Sequence, residues 1–152
     1  SSARFCVIPA KVIEDDDLTL TDIRILHALG LYADKHGLRV LNIRIGNFGD
    51  CPLDRRRLSI WLSPRDFLQL VRIGLEHPEL HYETVYGASE NDRTWWDNAN
   101  AYRLGYRPQD ESEPFAAEIL AGDPPPDDLV AEQFQGGPFC SAEFDGDPER
   151  ID

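Results

Sequence analysis

The stretch LRVLNIRIG, residues 38–46, decides the fold of this 152-residue chain. It is rich in apolar and β-branched residues and ends in a glycine, so it predicts a buried strand that runs into a turn. In the preceding stretch, residues 18–37, apolar residues recur near every third position and a glycine closes the pattern, which predicts an amphipathic helix over about 20–36. The apolar stripe of that helix is Ile23, Leu26, Leu29 and Tyr32. A helix that leads into a buried strand is half of an α/β unit.

Further elements follow on the C-terminal side of this strand. LSIWLS (58–63) predicts a short strand, and Ser63-Pro64 supplies the N-cap and first turn of a helix through about residue 76. The apolar face of that helix is expected to hold Phe67, Leu68, Leu70, Val71 and Leu75. HYETVYG (81–87) predicts another strand, and short helices are predicted over 95–104 and 114–122. The expected fold class is α/β or α+β: a small sheet, with 38–45 central and 81–87 beside it, covered by the helices 20–36, 64–76 and 95–104.

The net charge of -13 is concentrated at the C-terminal end of the chain. Residues 1–107 hold 14 basic against 15 acidic side chains, whereas residues 108–152 hold one, Arg150, against 13. Seven of the 11 prolines also follow residue 107 and limit regular structure there. We therefore expect a folded α/β body over 1–107, and a short helix followed by an acidic, proline-rich extended arm over 108–152.

Several blocks of residues 31–150 resemble, in order and spacing, the C-terminal part of short-chain dehydrogenases of the NAD-dependent epimerase/dehydratase type, with uronate dehydrogenases the nearest. These blocks are YADKHGLRVLNIRIGNFGD (32–50), RRRLSIWLSPRDFLQLV (55–71), VYGASENDRTWWDN (85–98), LGYRPQDESEPFA (104–116) and FQGGPF (134–139). The resemblance implies part of a dehydrogenase fold, the substrate half, and oxidation of a hexuronic acid at its anomeric carbon. Residues 3–37 weakly resemble the opening of winged-helix replication proteins, which implies that residues 1–30 are of separate origin. The chain is therefore interpreted as chimeric or rebuilt.

The resemblance also implies a substrate site. Arg56 falls at the arginine that holds the sugar carboxylate, which suits a guanidinium fork that pairs bidentately with carboxylates. Asn47 falls beside the substrate, and Phe139 falls where a side chain reaches a neighbouring subunit's active site. Each of these assignments has an alternative. The arginine run 55–57 is a solvated patch paired with the acidic arm, and Phe139 packs on the body of its own chain.

The motifs that carry hydride chemistry in this family are missing. The sequence has no GxGxxG or GxxGxxG turn to receive a pyrophosphate, and residues 12–30 lack the Tyr and Lys of the family's catalytic pair. The histidines and the cysteines Cys6, Cys51 and Cys140 show no metal-ligand spacing. We therefore expect no catalytic residue, no cofactor (NAD included), no metal site, and a chain that is not an enzyme.

Three functions remain open. The first is a non-enzymatic acidic inhibitor that mimics nucleic acid, such as an anti-CRISPR or an antitoxin, and that binds a protein with a basic surface. Its candidate contact residues are Asp123, Asp127, Asp128 and Glu132. The second is a uronate dehydrogenase-like NAD-dependent oxidoreductase, and the third is a DNA-binding replication accessory protein. The arm could also form a homo-oligomer, and neither a membrane nor a direct nucleic-acid partner is expected. The three cysteines are odd in number and far apart in sequence, which favours the cytoplasm.

Overall fold

The computed structural model describes residues 20–122, 128–134, 137–142 and 145–147. A long helix opens the described chain and leads into a strand, as the sequence predicts. The elements in chain order are α1 (Leu20–His36), β1 (Val40–Ile45), β2 (Asn47–Phe48), α2 (Arg57–Ile60), β3 (Trp61–Leu62), α3 (Pro64–Glu76), β4 (Tyr82–Gly87), α4 (Ala99–Arg103), a 3-10 turn (Glu113–Phe115), α5 (Ala116–Gly122), α6 (Leu129–Gln133) and α7 (Pro138–Ser141).

Two parallel strand pairs form the sheet structure. β1 pairs with β4 over their full length, with Val40 opposite Tyr82. β2 pairs with β3 over two residues. Parallel strands need a crossover connection, and α3 lies in the connection from β1 to β4 and packs on β1. Gly74 permits that approach, because an added Cβ would lie 3.3 Å from the Leu41 side chain. The expectation of a small sheet covered by helices is confirmed, but the strand at 38–45 is not central, because among the described residues β1 pairs only with β4.

The core lies between β4, α3 and the segment around α4. Its buried residues are Leu62, Leu70, Leu80, Val85, Ala101, Leu104 and Tyr106. The Tyr106 hydroxyl donates to the carbonyl of Ala88 at 2.7 Å, so the only polar atom of this buried side chain has an acceptor. Among the described residues, no helix is long and apolar enough to cross a membrane.

The prediction of a strand over 58–63 is wrong in its first half. Leu58 belongs to the short helix α2, and the strand starts only at Trp61. The reason is local: the Asp54 carboxylate accepts from the Arg57 backbone N–H at 2.8 Å, as a helix-capping side chain does, and pairs with the Arg57 guanidinium at 2.5 Å. The predicted helix over 95–104 is likewise shorter and begins at Ala99.

The predicted apolar faces of two helices are rotated in the structure. In α1, the side chain of Tyr32 is exposed, and Gly30 and Ala33 are buried. In α3, Leu68 and Leu75 are 65% and 70% exposed, and Leu70 faces the core. A buried acid explains the rotation of α3, because Asp66 sits on the inner face with its carboxylate fully hydrogen-bonded.

Candidate functional site

Segment 47–62 forms one unit that carries two of the predicted site residues. Asn47 opens β2 and pairs with Trp61 of β3, while Arg56 lies in the loop that connects these strands. The Trp61 indole donates to the carbonyl of Gly49 at 2.8 Å and so closes this loop. The Asn47 side-chain oxygen is buried and accepts no hydrogen bond from the described residues. It therefore has acceptor capacity for a ligand hydroxyl or a water.

Arg56 joins this unit to the C-terminal arm. Its Nε donates to the carbonyl of Ala131 at 3.1 Å, and its Nη2 donates to the carbonyl of Phe134 at 2.6 Å. These carbonyls lie at the C-terminal end of α6, where helix carbonyls lack partners within the helix and cations are favoured. Gly137 lies against the same guanidinium, since an added Cβ would be 3.2 Å from Cζ. The expected solvated patch therefore holds an arginine bound to the arm by two backbone acceptors.

The arm residues that the structure describes pack as a unit. Asp128 caps α6 by accepting from the Ala131 N–H at 2.9 Å, and its second oxygen accepts from the Ser141 hydroxyl at 2.5 Å. The hydrogen bond from Ser141, followed by that from Ala131, lowers the pKa of Asp128 below its usual range. Val130 and Ala131 are buried.

The structure describes only some of the remaining predicted residues of the arm. Phe139 lies in α7, two residues after Gly137, and its side chain is outside the described residues, as are Asp123 and Asp127. Glu132 is half-buried in α6. The structure thus brings Arg56 and the helix that carries Phe139 to one place.

Sequence reasoning missed the residues that join the arm to Arg56. Gly137 has φ +59° and ψ -133°, a conformation that favours glycine, and Asp128 with Ser141 holds α6 to α7. The two consecutive glycines before Pro138 predict a turn, and this pattern could have located the positive φ at Gly137. The contact from Asp128 to Ser141 had no signal in the sequence.

The ends of β1 and β4 do not offer a cradle for the pyrophosphate of NAD. A Cβ on Gly46 would meet Trp96 at 2.5 Å and Ile60 at 2.7 Å. A Cβ on Gly87 would meet Ile43 and two other side chains at 3.0 Å. Both glycines are therefore used for packing within the protein, and neither leaves room for the cofactor's phosphates. The described residues also contain no group of three or more His, Cys, Asp or Glu side chains that could hold a metal ion.

Comparison with known proteins identifies the relatives of this chain. It is 42% identical over 111 residues to uronate dehydrogenase of Pseudomonas putida, an alignment that spans 73% of this chain and 41% of the relative. The chain is similar to uronate dehydrogenases. Uronate dehydrogenase of Agrobacterium fabrum is 41% identical over 110 residues, which is 72% of this chain and 42% of the relative. No family model matches.

Solved structures agree with the curated relatives. Glucuronic acid dehydrogenase of Chromohalobacter salexigens superposes with a TM-score of 0.72 at 40% identity, covering 87% of this chain and 49% of that structure. The resemblance to dehydrogenases in the sequence is thereby confirmed. The chain spans less than half the length of these relatives.

Two expectations from the sequence are wrong. We expected a non-enzymatic inhibitor, such as an anti-CRISPR or an antitoxin, and we expected that the chain is not an enzyme. The relatives and structural neighbours are dehydrogenases, which supports the oxidoreductase alternative instead. The glycine turn and the Tyr/Lys pair belong to a different part of the dehydrogenase fold from the blocks that match, so their absence from this sequence does not exclude an oxidoreductase.

Proposed function

We propose that this chain is the sugar-acid-binding part of a uronate dehydrogenase-like NAD-dependent oxidoreductase. In this reaction a hexuronic acid loses a hydride from its anomeric carbon to NAD and a proton from its anomeric hydroxyl to a base. Because neither Gly46 nor Gly87 leaves room for a pyrophosphate, we assign NAD binding and the base to the part of the relatives that this chain does not span. The role of the chain is then to bind and orient the sugar. We propose the cytoplasm as the compartment.

The observation that carries this proposal is the setting of Arg56. It is a half-buried cation whose Nε and Nη2 donate to two backbone carbonyls of the arm, and by the resemblance it falls at the arginine that holds the sugar carboxylate. A planar guanidinium with a set orientation suits a planar carboxylate, which distinguishes a uronic acid from a neutral sugar. Asn47, with its unpartnered side-chain oxygen, supports the same assignment because it can accept from a sugar hydroxyl.

Sugar selectivity tests the proposal directly. The full chain is titrated with galacturonate and with galactose, which differ in the carboxylate, and binding is followed by ligand-observed NMR. We expect galacturonate to bind about tenfold or more tightly than galactose, since a hydrogen bond to a charged group contributes about 1.5–3 kcal/mol. Arg56→Ala should remove this preference. Arg72→Ala is the matched control, because that arginine lies on the exposed face of α3. Equal affinities for the two sugars in the wild-type chain contradict the proposal.

Activity can be tested by restoring the missing part. The portion of the Pseudomonas putida relative that the alignment leaves uncovered is joined ahead of residue 31 of this chain. The chimera should reduce NAD with galacturonate, and Arg56→Ala should lower kcat/KM by about tenfold or more. A folded chimera that binds NAD but oxidises no uronate argues against the assignment.

A further inference from the structure

We propose that the docked arm, residues 128–134 and 137–142, positions Arg56 for the sugar carboxylate, and that Gly137 is the residue that makes this possible. The proposal rests on the proposed function for the identity of the ligand. The arm contact itself is independent of any sugar and can be measured without one.

The first step in the argument is the geometry of the guanidinium. Nε and Nη2 lie on the same edge of its plane, and each donates to a backbone carbonyl of the arm. Two acceptors on one edge of a rigid fork fix both the direction and the plane of the group. A carboxylate that pairs with Arg56 therefore meets a guanidinium whose orientation the arm has set.

The second step is the close approach of Gly137. An added Cβ would lie 3.2 Å from Cζ and 3.3 Å from Nε of Arg56, which is closer than ordinary van der Waals contact. The positive φ of Gly137 also disfavours a residue with a side chain. Its N–H donates at 3.1 Å to the Phe134 carbonyl, the acceptor that Arg56 also uses. A change at Gly137 therefore acts on Arg56 through space and through a shared acceptor.

The third step is that the arm has its own internal bonds. Asp128 accepts from Ala131 at one end of α6 and from Ser141 in α7, and Cys140 donates to the Gly137 carbonyl at 2.9 Å. These contacts hold the two carbonyl acceptors and Gly137 in one unit. Asp128 and Ser141 are therefore positioning residues too, one contact further from Arg56.

Nitrogen-15 NMR of the full chain tests the contact. The Arg56 Nε–H signal is assigned by its loss in Arg56→Lys, and its exchange rate with water is compared with that of the urea-unfolded chain. We expect exchange about tenfold or more slower in the folded chain, because the proton is held by the Ala131 carbonyl. Gly137→Ala and Ser141→Ala should each remove most of this protection. Gly105→Ala is the matched control, since Gly105 also has a positive φ and has nothing within 4 Å of an added Cβ.

Ser141→Thr should restore the protection, because it keeps the hydroxyl donor. Fast Nε–H exchange in the wild-type chain, or protection that survives Gly137→Ala, contradicts the proposed contact between Arg56 and the arm.

Sugar binding tests the positioning role. Gly137→Ala should weaken galacturonate about tenfold and leave galactose unchanged, whereas the Gly105→Ala control should alter neither. Unchanged galacturonate affinity in Gly137→Ala overturns the role. If the wild-type chain keeps a protected Nε–H but does not prefer galacturonate, the proposed function fails and the positioning role fails with it. If galacturonate binds through Arg56 but Nε–H is unprotected, the proposed function stands and only this inference is overturned.

Discussion

Replacing Asp66 by alanine should be among the most damaging single changes to this protein. The side chain is fully buried at the start of α3. Its carboxylate accepts from the Ser89 hydroxyl at 2.7 Å, from the Gln109 N–H at 2.8 Å and from the Asp110 N–H at 3.1 Å. These bonds tie α3 to the segment after β4 and to residues 109–110, which are far apart in sequence.

The size of the effect follows from these three donors. A buried donor left without an acceptor, here the Ser89 hydroxyl, costs about 1–3 kcal/mol, and the partly buried Gln109 and Asp110 N–H groups each cost about 1 kcal/mol, so Asp66→Ala should lower the free energy of unfolding by roughly 3–5 kcal/mol. For a chain of this size that corresponds to a fall in Tm of roughly 10 °C or more. Asp66→Asn should cost less, because the amide oxygen can still accept from backbone N–H groups.

Urea unfolding followed by circular dichroism measures the loss. Asp92→Ala is the matched control, since Asp92 is exposed. The double variant Asp66→Ala with Ser89→Ala should lose less than the sum of the two single losses, because both changes remove the Ser89–Asp66 hydrogen bond; it should still lose more than Asp66→Ala alone, since Ser89→Ala also removes the acceptor of the buried Ser63 N–H. A cost below about 1 kcal/mol for Asp66→Ala would refute the assignment of this carboxylate as the link between the three segments.

Three further outcomes are expected. Gly46→Ala should lower the free energy of unfolding in urea by about 1–3 kcal/mol, because its Cβ would lie 2.5 Å from the Trp96 ring; an unchanged midpoint contradicts that packing. Tyr106→Phe should cost about 1–2 kcal/mol by calorimetry, because it leaves the buried carbonyl after β4 without its donor; a neutral change argues that another donor replaces the hydroxyl. The hydrogen bond from Arg65 lowers the pKa of Asp110, so this carboxylate adds stability that is fully present above its ordinary pKa of about 4 and is lost as the pH falls below that value. In acid titrations of stability, Asp110→Asn should flatten this part of the curve, and an unaltered curve speaks against the pair.

Sequence patterns located the candidate site only in part. Arg56 and Asn47 were identified because the blocks around them resemble dehydrogenases, and the comparisons bear that resemblance out. The contact between Arg56 and the carbonyls of Ala131 and Phe134 joins residues more than 70 positions apart. Every residue has a backbone carbonyl, so nothing in the sequence marks the carbonyls of Ala131 and Phe134 as acceptors. Only the folded chain shows which carbonyls Arg56 contacts.

The sequence by itself determined the local elements whose cause is local. The apolar run at 40–45 forms β1, Ser63 and Pro64 begin α3, and Gly37 ends α1 with a positive φ, each as expected. Tertiary structure decided which face of each helix is buried. Leu68 is exposed and Asp66 is buried, because burial of a carboxylate depends on donors from distant segments, here Ser89 and residues 109–110. Periodicity reports where apolar side chains recur, but it cannot report which distant donors and backbones will meet a given face.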